Sequence, residues 1–277
     1  MPFDGLRVLS LESRRSREIE TLISRNGGQP LVAPSVKEQP VDDASGAIAF
    51  IESLEAGEFD LVICMTGAGL AYLRDVLAPH MDSERIGAAL RRAVIVSRGP
   101  KPVGVLRSLN VPVTVIIPEP NTWKEIVEAV ALRAERRIAI QEYGRPGPGL
   151  QSALESLGAK VTTVTLYKWQ LPDDVAPLRE AARKLAAGEI DVVLFTSSIQ
   201  FDHLLEIGRE LRIETRVIKM LKDAVAVASV GPVMTATLES CGIRPDIVPN
   251  HPKMASLVKA ASEECHAVLA RKLASRI

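Results

Sequence analysis

The residues best suited to binding chemistry in this sequence are hydroxyl and glycine residues in short turns after predicted buried strands. Such turns expose backbone N–H groups at the start of a helix, where anionic groups bind readily. Hydroxyls at the same position commonly cap their own helix, so capping alone is the alternative for each turn. The two turns are Thr66-Gly67, after the apolar run 61–65, and Thr196-Ser197-Ser198, after the run 192–195.

Further candidate residues lie in the loops after the other predicted strands. The carboxyl ends of parallel strands meet along one edge of a sheet, where open α/β sheets usually bind their ligands. An arginine in such a loop is suited to bidentate pairing with a carboxylate. For Ser13 and Arg14 the favoured alternative is a capped and solvated helix start. The candidates are Ser13, Arg14, Arg98, Gly99, Tyr143, Gly144, Ser229 and Gly231.

Motifs for covalent, metal or cofactor chemistry are absent from the sequence. It has no nucleophile elbow, no Walker A loop, no dinucleotide fingerprint and no zinc-protease helix motif. The histidines fall on unrelated predicted elements, and none pairs with a second metal ligand at helical spacing. The sequence therefore predicts no metal, no cofactor, and a set of turns that binds an extended polyanion.

Composition predicts a globular protein of the cytoplasm. The formal net charge is +0, so no electrostatic footprint for nucleic acid or an anionic membrane is visible. No apolar run of roughly 18 residues and no signal peptide is present, so we expect no membrane association. Cys64, Cys241 and Cys265 are odd in number and widely spaced, which is typical of reduced thiols.

The sequence contains an internal duplication with a period of about 130 residues. Each copy holds three strand–helix modules, and a period this long indicates duplication of a domain, whereas solenoid repeats are much shorter. The pattern predicts an α/β protein with two domains. The repeated positions include Gly99 and Gly231, Pro100 and Pro232, Asp60 and Asp191, and Arg7 and Arg137.

Hydrophobic periodicity and glycine or proline stops define the predicted elements. The predicted strands are 6–11, 30–36, 61–65, 93–96, 137–141, 160–169 and 192–195, with a further β-branched run at 225–230. The predicted helices are 13–25, 41–57, 70–77, 150–157, 175–188, 199–208 and 252–274. Another helix opens at 118–123, and 211–221 is a further amphipathic segment.

Four stretches of the chain together resemble the uroporphyrinogen-III synthase family. None is decisive alone, because the family is weakly patterned, but their order and spacing match across essentially the whole chain. The stretches are 191–201 (DVVLFTSSIQF), 226–232 (AVASVGP, followed by Leu238 and Gly242), 249–257 (PNHPKMASL) and 141–172 (beginning QEYGRPGPG).

The resemblance implies an α/β fold of two doubly wound parallel-sheet, flavodoxin-like domains joined by a two-stranded connection. Domain 1 would be discontinuous and comprise residues 1–36 and 175–277, and domain 2 would comprise 37–171. The crossing segments would lie near 32–41 and 167–174. The duplication fits this pairing, since each domain still receives three modules, but sequence alone does not separate it from a simple split near residue 134.

The resemblance also implies a reaction. Uroporphyrinogen-III synthase is a hydro-lyase of haem and other tetrapyrrole biosynthesis that closes hydroxymethylbilane, a linear tetrapyrrole with eight carboxylates. Water is lost, ring D is inverted, and the product is uroporphyrinogen III. Once the hydroxyl has left, the azafulvene-type cation reacts by itself, so positioning would dominate and an acid would assist the leaving group. A cleft between two domains, lined by N–H donors, would suit this substrate.

Residue roles follow from the resemblance position by position. Tyr167 matches a family tyrosine before the return connection, and its phenol would donate to the departing hydroxyl; packing is the alternative. The sequence departs from the family at Val233 and Met234, where many members carry threonine, although Thr235 could partly substitute. The matching turns are Thr196, Ser197 and Ser198, and Ser229 with Gly231.

Two functions of other classes remain open at this point. One is a non-catalytic, synthase-like ligand sensor of a regulator, although the last helix leaves no room for a winged helix. The other is a sugar- or nucleotide-binding receptor, although no export signal is present and aromatic residues total only 4%. The resemblance implies hydroxymethylbilane as the bound molecule and a possible transient contact with the preceding pathway enzyme. The duplication predicts a monomer.

Overall fold

The structure is a computed structural model that describes residues 2–40, 44–142, 144 and 148–275. The chain divides into two compact units, one formed by Met1–Lys37 with Gln170–Ile277 and the other by Glu38–Trp169. The first unit is therefore discontinuous in sequence. Tyr143, predicted from the sequence as a binding residue, lies outside the described residues.

Strands and helices alternate along the described chain. The strands are β1 Arg7–Ser10, β2 Gln29–Val32, β3 Lys37–Pro40, β4 Leu61–Cys64, β5 Val94–Ser97, β6 Val115–Ile116, β7 Arg137–Gln141, β8 Lys160–Val164, β9 Tyr167–Gln170, β10 Val192–Phe195 and β11 Ala226–Ser229. The helices are α1 Ser16–Arg25, α2 Ser45–Glu55, α3 Gly67–Leu77, α4 Ser83–Leu90, α5 Pro100–Ser108, α6 Trp123–Ala131, α7 Pro148–Ser156, α8 Ala176–Ala187, α9 Ser198–Glu210, α10 Glu214–Asp223, α11 Pro232–Ser240 and α12 Met254–Ala274.

The described strands of the first unit form a parallel sheet in the order β11-β10-β1-β2. Ile247 extends the same edge through a parallel bridge to Ala228. The described strands of the second unit form a parallel sheet in the order β6-β5-β4-β7-β8. Both sheets are doubly wound, as predicted for the α/β fold class.

Corresponding strands lie in the same spatial order in the two sheets, but the chain enters each sheet at a different strand of that order. β1 of the first sheet corresponds to β7 of the second, and β10 corresponds to β4. The chain enters the first sheet at β1, whereas it enters the second at β4. Each sheet therefore combines modules from both copies of the internal repeat. A simple split of the chain near residue 134 would not produce this exchange.

Each sheet is covered on both faces by buried apolar side chains, as expected for parallel strands. In the first unit Val193 and Phe195 face one core, while Val192 and Leu194 face the other. The second unit repeats this alternation between its two cores. The continuous apolar runs in the sequence reflect this two-sided burial.

The connection between the units contains a separate two-stranded sheet of β3 and β9. The sequence pattern predicts a single strand over 160–169, and this prediction is wrong. β8 ends at Val164 in the sheet of the second unit, and β9 begins at Tyr167 with β3 as its partner. The break coincides with a change in the phase of the apolar alternation, because Leu166 and Tyr167 are adjacent and both buried.

Two ion pairs at the amino ends of the sheets each join residues from the two copies of the internal repeat. Arg7, at the start of β1, donates from Nε to Asp191 Oδ2 at 2.9 Å. Arg137, at the start of β7, donates from Nε to Asp60 Oδ2 at 3.1 Å. Each pair joins an arginine from one copy of the repeat to an aspartate from the other. The same contact is thus made once in each unit.

Candidate functional site

Each sheet has a topological switch point, where chain connections leave in opposite directions from two adjacent strands. In the first unit it lies after β1 and β10, and in the second after β7 and β4. Ligands of doubly wound proteins bind in the crevice outside the strand ends at such a point. Thr196 and Thr66, both singled out from the sequence, stand at these two positions.

In the second unit, Thr66 is the N-cap of α3 and is held by three contacts. Its Oγ1 accepts from Gly69 N at 3.0 Å. Its backbone N–H donates to Gln141 Oε1 at 3.1 Å. Its hydroxyl also lies 3.2 Å from the hydroxyl of Tyr167, and either atom could be the donor. The turn therefore combines capping of the helix with a pair of hydroxyls.

Tyr167 is the first residue of β9, and its ring belongs to the core of the second unit. The residue is 1% exposed. Its ring centroid lies 5.3 Å from that of Tyr72 and 6.4 Å from that of Trp169. The ring is therefore packed, and the phenol hydroxyl contacts Thr66.

The glycines of this turn are closely packed, Gly67 against backbone and Gly69 against the side chain of Gln141. A Cβ added at Gly67 would lie 2.6 Å from the carbonyl oxygen of Lys101. A Cβ at Gly69 would lie 2.1 Å from Nε2 of Gln141. Gly67 opens α3, and the first N–H groups of a helix have no partner within the helix. The turn can therefore offer backbone donors as well as close approach.

In the first unit, Thr196 is held by a different set of side chains. Its Oγ1 donates to Glu12 Oε2 at 2.5 Å and accepts from Gln200 Nε2 at 2.7 Å. Its backbone N–H donates to Gln200 Oε1 at 2.9 Å. Ser197 N–H lies 3.4 Å from the same oxygen. Ser197 is the N-cap of α9, and Ser198 is its buried first residue.

The two serine–glycine turns of the repeat are nearly identical. Ser97 Oγ donates to Gly99 O at 2.6 Å, and Ser229 Oγ lies 3.2 Å from Gly231 O. Both serines are fully buried. Ser229 Oγ is also 2.9 Å from the hydroxyl of Thr235, the residue expected to substitute for the missing family threonines. These hydroxyls therefore already have partners within their own turn.

The remaining candidates have distinct surroundings. Ser13 Oγ accepts from Ser35 N at 3.1 Å and from Val36 N at 2.9 Å. Arg14 is exposed and lies in the short turn after β1. Arg98 is half-buried and directly follows β5. Gly144 has a φ of 75°, and a Cβ there would lie 2.3 Å from the Trp169 ring.

Sequence reasoning missed the roles of Glu12, Gln141 and Gln200. The two glutamines occupy different positions in the repeat, yet each accepts the backbone N–H of a switch-point threonine. For Gln200 the sequence contained a signal, because Gln200 lies one helical turn after Thr196. Gln141 comes from the neighbouring strand, so no local spacing could identify it.

Other kinds of centre find little support in the residues that the structure describes. Within them, no group of three His, Cys, Asp or Glu side chains could hold a metal ion. Burial raises the pKa of the Cys64 thiol to about 12, which makes it a poor nucleophile at neutral pH. No helix among them is long and apolar enough to cross a membrane.

The family follows from a comparison with family models. The model described as "Uroporphyrinogen-III synthase HemD" matches residues 17–259, which includes both switch-point threonines, both serine–glycine turns and Tyr167. The chain belongs to this family. The resemblance found in the sequence is thereby confirmed.

Two relatives are distantly similar to this chain. It is 30% identical over 236 residues to a Methanothermobacter thermautotrophicus protein named "Putative uroporphyrinogen-III synthase", covering 83% of this chain and 87% of the relative. It is 25% identical over 261 residues to "Uncharacterized protein YjjA" of Bacillus subtilis, covering 92% and 94%.

A solved structure shows the same fold. The crystal structure of a mutant uroporphyrinogen III synthase from the extremely thermophilic bacterium Thermus thermophilus matches with a TM-score of 0.73 at 23% identity. The match covers 98% of this chain and 100% of the other. At this identity the likeness establishes architecture, and the chemistry must be argued from the residues of this chain.

Proposed function

We propose that this protein is a uroporphyrinogen-III synthase. It would close hydroxymethylbilane with loss of water and inversion of ring D. The observation that carries the proposal is the match of the family model to residues 17–259, which spans every described candidate residue except Ser13 and Arg14. The threonine turns at both switch points support it, because they stand where a doubly wound sheet binds its ligand.

The chemistry of the substrate fits the donors that the turns present. A linear tetrapyrrole with carboxylate side chains needs N–H and hydroxyl donors along its length, and the start of α3 at Gly67 would provide N–H donors. The N–H groups of Thr196 and Ser197 are instead directed at Gln200. Arg14 and Arg98 add guanidinium groups beside the turns, and Arg pairs with carboxylates in a bidentate manner. The reaction itself requires mainly that the chain be held in a reactive conformation.

Tyr167 and Thr66 would supply the acid that assists loss of the hydroxyl. Their oxygens lie 3.2 Å apart. Because Tyr167 is 1% exposed, its proton would pass to the substrate through the Thr66 hydroxyl. In this scheme the C–O bond breaks, the oxygen leaves as water, and the phenol is reprotonated when the ring system loses a proton. The acid assists a step that also occurs without help.

The protein would act as a monomer in the cytoplasm without a cofactor. These expectations rest on the internal duplication, which builds both sheets from one chain, and on widely spaced cysteines that suit a reducing compartment. A transient contact with the enzyme that supplies the unstable bilane would protect the substrate from spontaneous closure.

The test is incubation of the purified protein with hydroxymethylbilane, followed by oxidation and separation of the uroporphyrin isomers. Spontaneous closure gives isomer I, and the synthase reaction gives isomer III. We expect isomer III in proportion to the amount of protein. Tight binding of the bilane with isomer I as the sole product would support a ligand sensor and overturn the proposal.

A further inference from the structure

The switch point of the first unit carries a negative charge within its hydroxyl turn. Glu12 follows β1 by two residues and is half-buried. Its Oε2 accepts from the Thr196 hydroxyl at 2.5 Å and lies 3.5 Å from Gln200 Nε2. Its Oε1 accepts from Arg15 N at 3.2 Å. The carboxylate is therefore fixed by contacts from two elements.

These contacts use up donors that were expected from the sequence to meet an anionic ligand. A threonine hydroxyl has one proton, and that of Thr196 goes to Glu12. The backbone N–H groups of Thr196 and Ser197 are directed at Gln200 Oε1. What Glu12 and Thr196 retain for a ligand is oxygen lone pairs and one negative charge. Such a turn accepts hydrogen bonds and favours positive charge.

Among the residues that the structure describes, the second unit has a different arrangement at its own switch point. Glu142 is the counterpart of Glu12 in the repeat, but it accepts from Thr165 Oγ1 at 3.1 Å and is only 6% exposed. The hydroxyl of Thr66 meets the neutral phenol of Tyr167 instead. The two switch points have thus diverged, with a neutral hydroxyl pair in one and a carboxylate–hydroxyl pair in the other.

We propose that Glu12 is a catalytic residue that accepts a pyrrole N–H of the substrate and stabilises its positive charge. This inference rests on the proposed function. When the C–O bond breaks, both electrons leave with oxygen, and the proton of the assisting acid in the proposed reaction completes water. The positive charge left on the azafulvene is shared by the ring nitrogen, whose N–H then becomes a stronger donor. After ring D attacks, loss of one proton restores a neutral product.

The charge of Glu12 acts in the transition state and not in binding of the substrate. A carboxylate next to a forming cation is a preorganised electrostatic partner, a contribution that typically exceeds other single effects in catalysis. The same carboxylate repels the carboxylates of the substrate in the ground state. An interaction that strengthens only as charge develops raises kcat without lowering KM.

The decisive variant is Glu12→Gln, measured in the full-length protein beside Glu142→Gln. The amide oxygen can still accept from Thr196, while the amide nitrogen replaces the oxygen that accepts from Arg15 N, so the charge and that one 3.2 Å contact are lost together. We expect kcat for isomer III to fall roughly 10²-fold, with KM unchanged or lower. Glu142→Gln removes the matched carboxylate of the other unit and should retain kcat within about twofold of the unchanged protein.

Each outcome separates the inference from the proposed function. If the unchanged protein forms no isomer III, the proposed function fails and the inference falls with it. If it is active and Glu12→Gln keeps its kcat, or only raises KM, Glu12 shapes the turn and the inference alone is overturned. Should Glu12→Gln fail to fold, Glu12→Ala with added formate replaces it. Recovery of kcat with formate concentration is expected, and no recovery overturns the inference.

Discussion

Removal of the Tyr167 hydroxyl separates the catalytic and structural roles of this residue. In Tyr167→Phe the ring keeps its contacts with Tyr72 and Trp169, because only one oxygen atom is deleted. Thr66 keeps its cap on Gly69 N and loses only the 3.2 Å contact with the phenol. Among the described contacts of these residues, the substitution removes that of one hydroxyl pair.

The expected cost in stability is small. One hydrogen bond between neutral groups contributes about 0.5–1.5 kcal/mol to the free energy of unfolding. In a unit of this size, a loss of 1 kcal/mol lowers Tm by roughly 3–5 °C. The loss in turnover should be much larger, because a positioned acid contributes about 10²–10⁴-fold. We expect the low end of that range, since the hydroxyl of hydroxymethylbilane also leaves without assistance.

The assay is the initial rate of isomer III formation, together with the melting temperature of each variant. Tyr72→Phe is the matched control, because Tyr72 packs against the same ring and its hydroxyl donates to Glu38 Oε2 at a long 3.4 Å. We expect Tyr72→Phe to melt at a similar temperature to Tyr167→Phe and to keep its turnover. Isomer III should remain the product of both variants.

Two results would refute the role given to Tyr167. Equal turnover in the two phenylalanine variants would leave Tyr167 as a packing residue. A loss of bilane binding that accompanies a drop in Tm well beyond roughly 5 °C would mean that the hydroxyl braces β9, and that the catalytic effect is secondary.

Two further predictions concern the stability of the first unit. Lys272 is 8% exposed and donates from Nζ to Asp246 Oδ2 at 2.6 Å, so Lys272→Met should leave a buried carboxylate and cost about 3–5 kcal/mol in denaturant unfolding. Arg271 contacts the same carboxylate from an exposed position, so Arg271→Met should cost about 1 kcal/mol or less in the free energy of unfolding. Equal costs for the two variants would show that burial of the lysine does not determine the size of the effect. The hydrogen bond from Arg7 holds the pKa of Asp191 below its usual value, so this aspartate stabilises the fold above its unfolded pKa of about 3.9. That contribution should disappear as pH falls through the folded pKa, and Asp191→Asn should differ from the unchanged protein at neutral pH but converge with it once pH lies below that folded pKa.

Sequence patterns predicted the strand–helix modules of the fold, because strands that are buried on both faces of a parallel sheet have continuous apolar sequences. They failed where tertiary partners decide the outcome. α1 begins at Ser16 and not at residue 13, because Ser13 Oγ accepts from Ser35 and Val36 N–H groups instead of capping the helix. β2 ends at Val32, short of the predicted 36, where the chain leaves the sheet toward β3.

For the candidate site, the sequence indicated where the threonines lie in the fold but not which groups their hydroxyls contact. Strand ends and hydroxyl types located Thr66 and Thr196, since a βα turn follows each buried strand. The direction of each hydroxyl depends on Glu12 and Tyr167, which are distant in sequence from the threonines they contact. No local pattern contains that information, so the divergence of the two switch points could be found only in the structure.

Synthase activity is best examined through the isomer composition formed from hydroxymethylbilane as the protein concentration is raised. Reactions are stopped before spontaneous closure consumes the substrate, and heat-denatured protein serves as the control. We predict an initial rate of isomer III formation that is proportional to protein concentration, with isomer I falling as III rises. An isomer ratio identical to that of the denatured control at every concentration would contradict the proposed function.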